Sequence, residues 1–102
     1  MLGRRRFDDL LRRQLDLFEA DEEPLLREAE EADAAWTHAS REEAEELYGD
    51  YQLAIEAATD RLAELRDTYA RTLEDLDAEQ YESEFNRAVV ERWRDLGLTN
   101  ET

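Results

Sequence analysis

Between Tyr48 and Leu76 the positions Tyr48, Tyr51, Ile55, Ala58, Leu62, Leu65, Tyr69, Thr72 and Leu76 recur at alternating steps of three and four, a mostly apolar heptad seam. Residues three and four apart share one helical face, so the seam predicts a long helix packed against other helices. Its start is marked by Ser40-Arg41-Glu42-Glu43, where Ser40 can accept the Glu43 amide while the Glu43 carboxylate reaches back. The stripe passes through Gly49 without a change of phase, which favours one helix over about 41–76 with Gly49 costing about 1 kcal/mol against Ala. The competing reading ends a helix at Tyr48, with Gly49 as a left-handed cap and Asp50 as a new N-cap.

Three shorter stripes flank this one. Phe7, Leu10, Leu11, Leu15 and Phe18 share a face opposite Arg5, Arg6, Arg12, Arg13 and Asp16, predicting an amphipathic helix over about 5–19. Pro24, preceded by Asp21-Glu22-Glu23, suits a first helical turn, and Leu25, Ala29, Ala32, Trp36 and Ala39 give an inner face over about 24–38. That stripe loses phase near Thr37 to Ser40, where a break is expected. Asp77 and Gln80, in capping-box spacing, open a last helix over about 78–96 with Tyr81, Phe85, Ala88, Val89, Trp93 and Leu96 inside. Gly97-Leu98 supplies its stop.

Nothing alternates at period two long enough to suggest a strand, so the fold class is all-α: an elongated helical bundle or hairpin around one central helix. A central helix of about 36 residues spans roughly 54 Å, whereas a compact chain of this length has a radius of gyration of about 13 Å. The second and fourth segments are together long enough to line it end to end, each antiparallel to its half. Alternatively the seam pairs with its copy in another chain. The 102 residues form a single helical domain, in which 1–20 can dock as a separate amphipathic helix.

Charge alters this picture. The net charge is -16, with 29 acidic residues against 13 basic ones, and every basic residue is Arg. Binding to nucleic acid through a basic face is disfavoured. Residues 1–20 are the exception, with five Arg against four acidic residues. A basic amphipathic helix can lie on an anionic membrane, but Asp8, Asp9 and Asp16 on the polar face weigh against it and favour docking on the bundle. No transmembrane segment is expected, because no apolar run reaches the roughly 18 residues a span requires. The expected location is cytoplasmic.

The chemistry available is narrow. The chain has no cysteine, which excludes disulfides, iron–sulfur and c-type haem ligation, and cysteine nucleophiles. His38 is the only histidine, so the paired Glu-x-x-His motifs of a di-iron bundle are absent, and it reads as a loop residue. No glycine-rich phosphate loop occurs. The best catalytic candidates are Glu42-x-x-Glu45 and Glu64-x-x-Asp67, because carboxylates at i and i+3 share a helical face and several of them can collect Mg²⁺. Over 42–67 this spacing resembles the all-α nucleoside triphosphate pyrophosphohydrolases. The resemblance implies Mg²⁺-dependent release of pyrophosphate, with Glu42, Glu45, Glu64 and Asp67 as metal ligands. On a continuous helix the two pairs lie roughly 28–33 Å apart, so two chains would have to supply them.

Three readings of function follow. The seam and the missing nucleophiles favour a non-enzymatic helical interaction protein with no cofactor, acting as a homo-oligomer or as a small subunit or adaptor on a protein partner. The carboxylate pairs give the pyrophosphohydrolase alternative, with Mg²⁺. The dense carboxylate surface gives a third, an acidic mimic of DNA that occupies a basic groove on its target.

Overall fold

The computed structural model describes residues 6–96. Four helices follow one another: α1 (Asp8–Asp21), α2 (Glu23–Thr37), α3 (Arg41–Ala70) and α4 (Asp75–Arg92). The central helix α3 is continuous through Gly49, and a Cβ added there would meet nothing within 4 Å. It begins at Arg41 with Ser40 extended, as the sequence predicts, but the expected capping box closes differently. The Ser40 hydroxyl lies 3.1 Å from the Glu43 carboxylate rather than accepting the Glu43 amide, which bonds the Ser40 carbonyl at 3.1 Å.

α3 is shorter than the 41–76 expected. After Ala70 the backbone tightens, Thr72 and Leu73 donating to the Tyr69 and Ala70 carbonyls at 2.9 and 3.0 Å, and the Thr72 hydroxyl reaches the Tyr69 carbonyl at 2.7 Å. These bonds satisfy carbonyls that a continuing helix would otherwise use, and the helix stops. Thr72 and Leu76 therefore leave the seam, and Leu76 is 80% exposed. α4 correspondingly starts at Asp75 behind an extended Glu74, ahead of the predicted Asp77 cap. It ends at Arg92 rather than 96, because Trp93 turns extended to meet Phe18 at 5.9 Å between ring centroids while Leu96 is buried. The predicted stop at Gly97-Leu98 lies outside the described residues, as do the basic residues Arg4 and Arg5.

α1 and α2 are separated by Glu22 alone and run one after the other antiparallel to α3. The path is fixed by Arg61 on Glu22 at 3.2 Å near the middle and by Trp36 on Tyr48 at 5.0 Å at the far end. α4 is also antiparallel to α3, with Tyr81 against Tyr69 at 4.9 Å and Arg66 donating to Asn86 at 2.9 Å. The C-terminal half of α3 is thus enclosed by α1 and α4 in a three-helix body. Its core holds Leu11, Leu15, Phe18, Ala58, Leu62, Tyr81, Phe85 and Val89. The N-terminal half of α3 and α2 continue beyond it as a two-helix arm whose buried contacts are the alanines Ala29 and Ala54. The radius of gyration, 15.6 Å, exceeds the roughly 13 Å of a compact chain, and the molecule measures 50 × 28 × 25 Å.

The centre of the seam, Ala58 and Leu62, is completely buried by the chain's own helices. Most of the apolar face of α1 is likewise in the core, Leu11 and Leu15 being 3% and 2% exposed, while Leu17 lies outside it. Among the described residues no helix is long and apolar enough to cross a membrane.

Candidate interaction surface

Two structural joints hold the body in place and so position its surface. Phe7 occupies the N-cap of α1 without any capping side chain of its own. Its amide is instead taken by the buried Glu84 carboxylate of α4 at 3.0 Å, which also accepts from Gln80 at 2.9 Å. A carboxylate there meets the positive end of the α1 dipole. Arg6 adds a second tie, to Asp77 at 2.6 Å. At the opposite end of α1, Arg92 bridges Asp16 at 2.9 Å and Glu19 at 3.3 Å. Between them the Tyr81 hydroxyl donates to Gln14 at 2.7 Å, and burial pushes its pKa up to about 12. Glu84 and Gln14 carry no signal in the sequence that marks them as inner residues, because polar side chains at those positions read as solvated.

The flank of α3 away from α4 is different. Asp50, Leu53, Ala57, Arg61, Glu64 and Thr68 follow one another at steps of three and four, one stripe of the helix. Two clefts open onto it. The upper cleft, about 340 Å³, is lined by Glu28 and Ala32 of α2 with Asp50, Leu53, Ala54 and Ala57 of α3. The lower, about 390 Å³, lies between α1 and α3 and includes Leu17, Phe18, Asp21, Glu22, Arg61, Glu64 and Leu65. Both lie along this one stripe, so the α3 groove is a pair of separate clefts, each with apolar side chains and carboxylates in its lining. Leu53 is 66% exposed and Leu17 is 63% exposed along it. Arg61, the one basic side chain in the two linings, is already bonded to Glu22. A crease of about 420 Å³ between α1 and α4 is larger, but charges of both signs wall it and its leucines, Leu11 and Leu15, are already buried.

At the tip of the arm Trp36 packs on Tyr48 at 5.0 Å and stacks on Tyr51 at 5.9 Å with 8° between the planes. The sequence assigns Trp36 to an inner face, yet it is 37% exposed, because α2 ends here with no third helix to cover it. Rings this close to one another fill the space a cation would need between them, so the cluster is packing and not an aromatic cage. Tyr51 has its pKa raised, first by burial and then by the adjacent Asp95 carboxylate.

The candidate metal ligands do not meet. Glu42, Glu45 and Glu64 are exposed on α3, and the helix's continuity keeps Glu42 roughly 33 Å from Glu64 at helical rise. Asp67 accepts from its neighbour Arg66 at 2.8 Å. Among the described residues no group of three His, Asp or Glu side chains converges as a metal site. His38 is exposed in the turn after α2, its amide on the Ala34 carbonyl at 3.1 Å. Comparison with protein-family models, with curated proteins and with solved structures returns no match.

Proposed function

We propose that the protein works without catalysis, as a small helical subunit or adaptor that binds a partner protein through helix–helix contact. The observation that supports this reading is the uncovered stripe of α3, where Leu53 at the upper cleft and Leu17 at the lower remain mostly exposed while the opposite face is sealed in the core. Exposed leucines aligned on one groove mark a contact surface more than isolated ones do. A different protein is favoured over a second copy of the chain. The arm, residues 23–57, carries eleven acidic and two basic side chains, so pairing arm on arm would bring two charges of -9 together.

A photo-reactive amino acid placed at Leu53 in cells tests this. The expected outcome is one discrete adduct with another polypeptide, lost when the same group is moved to Val90, which is exposed on the α4 side. Recovery of the chain alone, or of adducts between its own copies, overturns the reading. Mg²⁺-dependent release of pyrophosphate from a nucleoside triphosphate, abolished by Glu64→Gln, would put the enzymatic alternative in its place.

A further inference from the structure

We infer that the groove along α3 receives a basic amphipathic helix of about 18 residues, supplied by a protein partner. The inference rests on the interaction reading above and specifies its ligand.

Length comes first. The stripe runs from Asp50 to Thr68, which at 1.5 Å per residue is roughly 27 Å, or five turns of a docked helix. Its floor suits a helix because the small side chains Ala32, Ala54 and Ala57 let another backbone approach closely, while Leu53 and Leu17 stand at the upper and lower clefts to contact large apolar residues. Helix-in-groove recognition places such anchors at i, i+3 or i+4, and i+7. In the body α3 has helices on two sides, whereas in the arm it has α2 and, beside Tyr51 and Ile55, the non-helical segment Trp93 to Leu96, and Leu53 stays 66% exposed. A docked helix would extend three-helix packing along the arm.

Charge then selects the partner. Glu28 and Asp50 rim the upper cleft and Asp21, Glu22 and Glu64 the lower, against Arg61 alone. An incoming helix with Arg or Lys flanking its apolar stripe pairs with these rims and gains rate and specificity from them. An acidic helix is repelled. The chain's own amphipathic helix α1 does not qualify, because its two Arg face five carboxylates within Asp8–Asp21 and Leu11, Leu15 and Phe18 are already buried in its own core.

The test uses the full chain, isotopically labelled, and a synthetic 18-residue peptide with leucines at alternating spacings of three and four and Arg or Lys elsewhere. Amide shift changes should concentrate at Ala32, Leu53, Ala57 and Leu17. Leu53→Asp should weaken binding at least tenfold, and Leu76→Asp, at a still more exposed leucine off the groove, should leave affinity unchanged. Reversing the rim with Glu28→Arg and Asp50→Arg should weaken the basic peptide and admit an acidic counterpart. Folding of each variant is checked by circular dichroism, and Leu53, being mostly exposed, tolerates the change. A scrambled peptide of the same charge that binds as well, or Leu53→Asp without effect, would show polyelectrolyte attraction only and overturn the assignment. Absence of any shift at millimolar peptide also overturns it. That result leaves the broader reading to be decided by cross-linking at Leu53.

Discussion

Tyr81 shows how much a single position depends on its surroundings. On α4 it reads as one apolar residue among several, yet in the fold it touches Phe7, Tyr69 and Phe85 at 5.5, 4.9 and 5.8 Å and donates its hydroxyl proton to Gln14. Its pKa lies near 12 in the folded chain, against about 10 when unfolded. The neutral form is the one the fold holds, so the unfolded chain loses its proton first as pH rises. The stability contribution is complete below pH 10 and falls toward pH 12, and the raised pKa of Tyr51 acts in the same direction. Tyr81→Phe should flatten that alkaline loss in urea melts across pH 9–12 while lowering stability at neutral pH by about 0.5–1.5 kcal/mol for the missing hydrogen bond. Glu84→Ala should cost about 1–3 kcal/mol, because the buried amide of Phe7 loses its acceptor. Protection of the first-turn amides of α1 in hydrogen exchange should fall with it.

At the scale of elements, helix existence follows from periodicity and helix length from local hydrogen bonds at the ends. The seam continues in phase to Leu76, but the Thr72 hydroxyl on the Tyr69 carbonyl and the tightened turn to Glu74 end α3 six residues early. Capping of this kind competes with helix propagation on terms of about 1 kcal/mol, too small to be settled by apolar spacing. Gly49 is the converse case, a helix-weakening residue that the helix passes through. Since a Cβ would meet nothing there, Gly49→Ala should stabilise the protein by about 0.5–1 kcal/mol, measured as a higher urea midpoint with unchanged slope. A destabilising Gly49→Ala would contradict a continuous α3.

At the scale of the molecule, the arm and the body should differ in both stability and charge response. The body contains the large buried side chains, Leu15, Leu62, Tyr81, Phe85 and Val89, whereas the arm's buried side chains are the alanines Ala29 and Ala54 and its aromatic contact, Trp36 on Tyr48 and Tyr51, is partly exposed. Native-state hydrogen exchange should therefore give lower opening free energies for amides 43–52 than for 58–69. With a net charge of -16, self-repulsion opposes the compact state, and salt screens it. Raising NaCl from 50 to 500 mM should raise the melting temperature and slow exchange most in the arm, where -9 of that charge resides. An arm as protected as the body, or unresponsive to salt, would contradict this division.

The sequence by itself determines that the chain is helical, where all four helices begin to within a few residues, that the middle of the longest one faces a core, and that its surface is acidic. Those properties depend on spacing and composition, which are local. Only the tertiary structure decides that α1, α2 and α4 cover the seam from within, that Glu84 caps a helix 77 residues away, and that Trp36 stays half-exposed. It also decides that Leu17 and Leu53 line two acid-rimmed clefts along one stripe of α3 while Glu42 and Glu64 stay apart. These outcomes depend on which faces of separate helices meet, and a helical period specifies a face without specifying what packs against it.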